Sequence, residues 1–108
     1  MSTRPEFVQY LLDQLEGLGE LRARKMFGDY LVYLNDRPAL LVCDGTPFAK
    51  PLPCVAELLK DRPTAPPYEG AKAHYLLDPE DRDTLRRAAE LVSQNSPPPT
   101  KRRRNAYP

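Results

Sequence analysis

Histidine occurs once and cysteine twice in 108 residues, and these shortages exclude several kinds of chemistry. A structural zinc site needs about four ligands at fixed spacing. Cys43, Cys54 and His74 supply three, with no C-x-x-C or H-x-x-x-H pair, so no metal is expected. Two cysteines are too few for a disulfide scaffold, and nothing in the sequence pairs either with His74 as nucleophile and base. Gly17, Gly19 and Gly28 fit neither G-x-G-x-x-G nor a P-loop. The chain is therefore read as non-enzymatic and without a cofactor. It also lacks an apolar run approaching the roughly 20 residues that cross a bilayer. The N-terminus lacks the basic-then-apolar order of a signal peptide. A soluble protein of the cytoplasm, not a membrane protein, is expected.

What is present suffices for one domain: 41% of residues are hydrophobic and 29% charged. The net charge of +1 conceals an asymmetry. Lys101, Arg102, Arg103 and Arg104 contribute four positive charges, so residues 1–100 carry −3. Residues 1–96 are read as the folded domain. The proline-rich basic segment 97–108 cannot bury apolar area and is read as a disordered tail.

Hydrophobic spacing assigns the elements. Phe7, Leu11, Leu15 and Leu18 recur at helical intervals, and Thr3 with Glu6 fits a capping box, predicting a helix over 3–18 that stops near Glu16. The period then changes. Leu21–Phe27, Tyr30–Leu34, Ala39–Cys43 and a short run from Phe48 alternate with turn residues at Gly28-Asp29, Asn35-Asp36 and Asp44-Gly45, which predicts a four-stranded antiparallel meander. Leu40-Leu41-Val42-Cys43 is apolar on both faces and should be central. Pro38 and Pro47 are confined to strand starts or edges. A short helix is read at Val55–Lys60 and a brief fifth strand at His74–Asp78. A last helix is read over Pro79–Gln94, with Asp78, Glu80, Asp81 and Asp83 at its N-terminus. Pro63–Gly70, with three prolines, is read as an ordered loop or lid. The fold class is α+β, with the two C-terminal helices packed on one face of the sheet.

The densest candidate for function is the stretch Arg22–Tyr30. On a strand, Arg22 and Arg24 share one face and Lys25 takes the other. Two readings stand. In one, the cations pair with Glu20, Asp29 or Asp44 as a solvated face. In the other, Arg22, Arg24, Lys25 and Tyr30 form a recognition patch for phosphate or an acidic partner. Met26 and Phe27 are read as core. The tail cations Lys101, Arg102, Arg103 and Arg104 suit weak, salt-sensitive contact with phosphates, or simple solubilisation.

Arg24-Lys25-Met26-Phe27-Gly28-Asp29-Tyr30, followed by the Tyr33 and Ala39-Leu40-Leu41-Val42 strands, resembles the N-terminal domain of the TfoX/Sxy family. Lys50 and Gly70-Ala-Lys-Ala-His-Tyr75 fit the same pattern, so the likeness covers roughly residues 4 to 95. The resemblance implies an α+β domain acting in transcriptional activation of DNA-uptake genes together with the cyclic-AMP receptor protein. Larger members carry a second, helical C-terminal domain. Here Gln94 is followed by the basic tail, which implies a stand-alone single-domain member.

Three functions are carried forward. The first is a regulatory or adaptor domain that docks on a protein partner through Arg22, Arg24 and the Tyr30 hairpin. The second is weak nucleic-acid binding by the tail with Arg22 and Arg24. The third is a small-molecule or enzymatic role in a pocket between the Pro63–Gly70 loop and the sheet, near His74. Either a monomer or a homodimer is compatible with the sequence.

Overall fold

Helix α1 spans Pro5–Leu15 and begins on a proline, whose fixed φ and missing donor suit the first helical turn. The structure, a computed structural model, describes residues 3–26 and 28–96; the expectations for Phe27 and for 97–108 lie outside them. Val8, Leu11 and Leu15 are buried along one stripe of α1. The predicted Thr3–Glu6 capping box does not form. Arg4 is the N-cap, without a side-chain bond, because Thr3 is engaged elsewhere. Its N–H donates to the Gly28 carbonyl at 3.0 Å. Its Oγ1 donates to Asp29 Oδ1 at 3.1 Å and accepts from the Gly45 N–H at 3.1 Å. A residue read as a local cap thus ties two distant turns together.

Strands β1 (Leu21–Met26), β2 (Asp29–Leu34), β3 (Arg37–Cys43) and β4 (Thr46–Ala49) form the predicted meander. The Asn35-Asp36 and Asp44-Gly45 turns have φ of 54° and 65°, and 52° and 72°, the doubly left-handed geometry that matches strand twist in two-residue hairpins. Between β2 and β3 the register steps from Val32↔Leu40 to Tyr33↔Pro38, leaving Ala39 as the extra residue of a bulge.

Helix α2 (Pro53–Ala56) is shorter than the predicted Val55–Lys60 and opens two residues earlier, on Pro53. The sheet has six strands rather than four or five, in the order β1-β2-β3-β4-β6-β5. Strand β6 (His74–Leu76) is the brief strand expected there. Strand β5 (Thr64–Ala65) lies inside the proline-rich segment read as loop. Pro63 and Pro66 flank it without interrupting it, and an edge position tolerates their missing donors.

Helix α3 (Arg82–Gln94) starts three residues later than predicted. The carboxylate of its N-cap, Asp81, accepts from the Thr84 N–H. Leu85, Ala88, Ala89 and Val92 are buried on α3 and pack with Leu11, Leu15, Val32, Leu40 and Val42 into the core. The helices lie on one face of the sheet. No helix among the described residues is long and apolar enough to cross a membrane.

Arg86 reaches from α3 to the end of α1. Its Nη1 donates to the Gln14 carbonyl at 2.9 Å and the Glu16 carbonyl at 2.8 Å. These carbonyls have no partner within their own helix. Replacing Arg86 with alanine removes two charge-assisted bonds, and a loss of roughly 1.5–3 kcal/mol is expected in urea unfolding. A midpoint unchanged within error would show that water replaces them.

Candidate functional site

The strand registers assign every side chain to one of two faces. Tyr30, Val32, Leu40 and Val42 point to the helix-covered side, where Val32 and Val42 are fully buried. The other face is free of helices. Across its centre the pairings run Arg24↔Leu31, Leu31↔Leu41, Leu41↔Phe48 and Phe48↔Leu76. This is a continuous row with an arginine at the β1 end and four apolar residues behind it. Phe48 is buried, whereas Leu31, Leu41 and Leu76 are half-buried. A parallel row holds Arg22↔Tyr33 and Tyr33↔Pro38.

This map sorts the residues that the sequence singled out. Arg22 and Arg24 share the free face, as strand alternation required. Lys25 and its cross-strand partner Tyr30 lie on the opposite face, where Tyr30 packs against the core. They do not join the arginines. The tyrosine that does is Tyr33, with the Arg22 guanidinium 4.8 Å from its ring centroid, within cation–π range. Arg22 also pairs with Asp36 at 3.3 Å, not with Glu20, Asp29 or Asp44. Arg24 and Lys25 have no ion pair among the described residues. Met26, read as core, lies on the free face, half-buried at the rim of a cavity.

Two cavities have Leu41 in the lining. One, of about 540 Å³, lies beneath Tyr68 of the proline-rich segment and is bounded by Met26, Asp29 and Cys43. Tyr68 is 60% exposed. The second, of about 300 Å³, sits where β3 runs on past the end of β4. Leu31, Pro38, Lys50 and His74 bound it, together with the bulge residue Ala39 and the C-terminal end of α3. His74 Nδ1 lies 2.9 Å from the Lys72 carbonyl; a carbonyl can only accept, so that nitrogen carries the proton. Cys43 and His74 line different cavities. Burial, and secondly the neighbouring Asp29 carboxylate, push the Cys43 thiol up to about 11, so at neutral pH it is not a thiolate. Among the described residues no three His, Cys, Asp or Glu side chains converge to hold a metal ion.

The apolar row and its Lys50–His74 margin were missed in sequence because Leu31, Leu41 and Leu76 read as ordinary strand interior. Strand parity would have grouped Leu31, Tyr33 and Leu41 with the arginines once the pairing of β2 with β3 was known.

The architecture defines a class: a small α+β domain whose sheet is covered by helices on one side and bears arginines beside apolar residues on the other. Within it, the chain is similar to the uncharacterized 12.7 kDa protein in the trpE 5' region of Spirochaeta aurantia. The two are 26% identical over 103 residues, spanning 90% of each chain. No family model matches the sequence, and no solved structure matches it.

Proposed function

We propose that this chain is a non-enzymatic regulatory or adaptor domain that docks on an acidic, partly apolar surface of a protein partner. The observation that carries this reading is the helix-free row from Arg24 through Leu31 and Leu41 to Leu76, with Arg22 stacked on Tyr33 beside it. Incompletely buried apolar residues next to exposed arginines, of which Arg24 has no ion pair among the described residues, suit recognition better than folding. The protonated Cys43 thiol and its separation from His74 weigh against nucleophilic catalysis. The resemblance to TfoX/Sxy domains directs the search for the partner to the cytoplasmic transcription machinery, with the cyclic-AMP receptor protein among the candidates.

The test compares wild type with the Arg22→Ala/Arg24→Ala double variant in affinity purification from the native cell, with and without nuclease. The Arg22–Asp36 pair is solvent-exposed, and such pairs contribute less than about 1 kcal/mol. The variant should therefore melt within a few degrees of wild type while losing its nuclease-resistant partner. A variant that unfolds would make the arginines structural. Capture abolished by nuclease would favour nucleic acid, with Arg22 and Arg24 on phosphates and Lys101–Arg104 assisting.

A further inference from the structure

The two edges of the sheet are not equivalent. The β5 edge is two residues long and flanked by Pro63 and Pro66, which blocks further pairing. The β1 edge is six residues long, about 20 Å at the usual rise, and contains no proline.

Which β1 groups face outward follows from one hydrogen bond. One step beyond the Leu21↔Leu34 pair, the Asn35 N–H donates to the Glu20 carbonyl at 2.8 Å. Hydrogen-bonded and non-bonded pairs alternate along an antiparallel ladder. Arg22, Arg24 and Met26 therefore exchange bonds with β2, while the N–H and C=O groups of Leu21, Ala23 and Lys25 point away from the sheet. No turn, loop or side chain among the described residues bonds these outward groups.

We propose that β1 accepts an extended segment of the partner as a seventh strand, and that this segment carries carboxylates at alternate positions. The proposal rests on the docking reading above and specifies its mode. In antiparallel addition Leu21, Ala23 and Lys25 form the bonded pairs. Arg22 and Arg24 then fall at the non-bonded positions, where side chains across a ladder come closest, with Cα atoms about 4.5 Å apart. Carboxylates two residues apart on the added strand meet the two guanidinium groups on the free face and extend the row Arg24–Leu31–Leu41 by one member. The same charge pattern disfavours a second copy of this chain, because antiparallel self-pairing of β1 about Ala23 sets Arg22 directly against Arg24. An acidic partner strand is the complement.

The probe is a capped peptide, acetyl-Thr-Val-Glu-Val-Glu-Val-Thr-amide, with its glutamates replaced by lysines in the control. Amide hydrogen exchange is read residue by residue at saturating peptide. The Leu21, Ala23 and Lys25 amides should slow by at least about tenfold, while those of Arg22 and Arg24, already bonded to β2, should not change. The lysine peptide should protect nothing. In Ala23→Pro, the proline replaces an outward N–H and removes no bond to β2. The circular dichroism should be retained and affinity for the acidic peptide should fall at least about tenfold, the order of one lost bond. Equal protection by both peptides would overturn the proposal. So would binding of the acidic peptide without protection at these three amides. Partner loss in Arg22→Ala/Arg24→Ala with those amides unprotected would leave side-chain docking standing and strand addition refuted.

Discussion

Leu40→Ala should lower the stability by about 2–5 kcal/mol, whereas Leu41→Ala, one residue along, should cost much less. The two leucines are adjacent in β3 and point to opposite faces. Leu40 is 2% exposed and lies in the core with Val32, Val42 and the buried residues of α3. Truncating it removes apolar contacts and leaves a cavity that the surrounding helices fill only in part. Leu41 is half-buried on the free face and lies outside the core cluster, so its truncation removes fewer buried contacts. For a domain of this size the Leu40 variant should melt lower by roughly 10–30 °C. Partner capture should show the reverse order, with Leu41→Ala weakening it and Leu40→Ala sparing it in whatever fraction remains folded. Similar melting shifts for both variants would contradict the assignment of Leu41 to a recognition surface.

Asp29→Ala is expected to destabilise the domain by about 1.5–3 kcal/mol and to lower the Cys43 pKa together. The Asp29 carboxylate accepts from Thr3 Oγ1 at 3.1 Å and from the Asp44 N–H at 3.0 Å, joining the β1–β2 and β3–β4 turns to the start of α1. Its charge is also the second cause, after burial, of the raised Cys43 pKa of about 11, against 9.0 for a free thiol. In a Cys54→Ser background, alkylation of Cys43 by iodoacetamide should rise with pH only as it approaches 11 in the wild type, and at distinctly lower pH in Asp29→Ala. The sign for stability follows by linkage. Above pH 9 the unfolded chain releases the thiol proton and the folded chain does not, so wild-type stability falls as pH rises from about 9 to about 11. Identical alkylation profiles would mean that burial alone sets the pKa.

The meander was legible because its turns are: Asn35-Asp36 and Asp44-Gly45 announce two-residue hairpins through residues that tolerate a left-handed backbone. The centrality of β3 followed from its unbroken apolar run. What failed in each case depended on contacts distant in the chain. Thr3 matches a capping box locally, yet its partners are Gly28, Asp29 and Gly45. Arg86 sits on a polar helical face, yet it bonds the end of another helix. Tyr30 adjoins the basic stretch in sequence, but side-chain alternation sends it to the core and leaves Tyr33 with Arg22. Strand parity separates a strand into two sets of residues without saying which set the helices will cover, and the Ala39 bulge then shifts that parity within β3. The arginines were found because charge is visible in sequence. The half-buried leucines beside them were not, since an apolar residue on a free face reads the same as one in the core.

The unequal ends of the sheet also limit what this domain can build. A sheet able to grow at both margins can link copies or partners head to tail into a fibre, whereas one stopped by prolines at one margin has a single point of growth. If a partner strand adds at β1 as proposed, it terminates the assembly on this chain, with one partner segment per domain. Concentration alone cannot polymerise it through its sheet, and the expected stoichiometry is one to one.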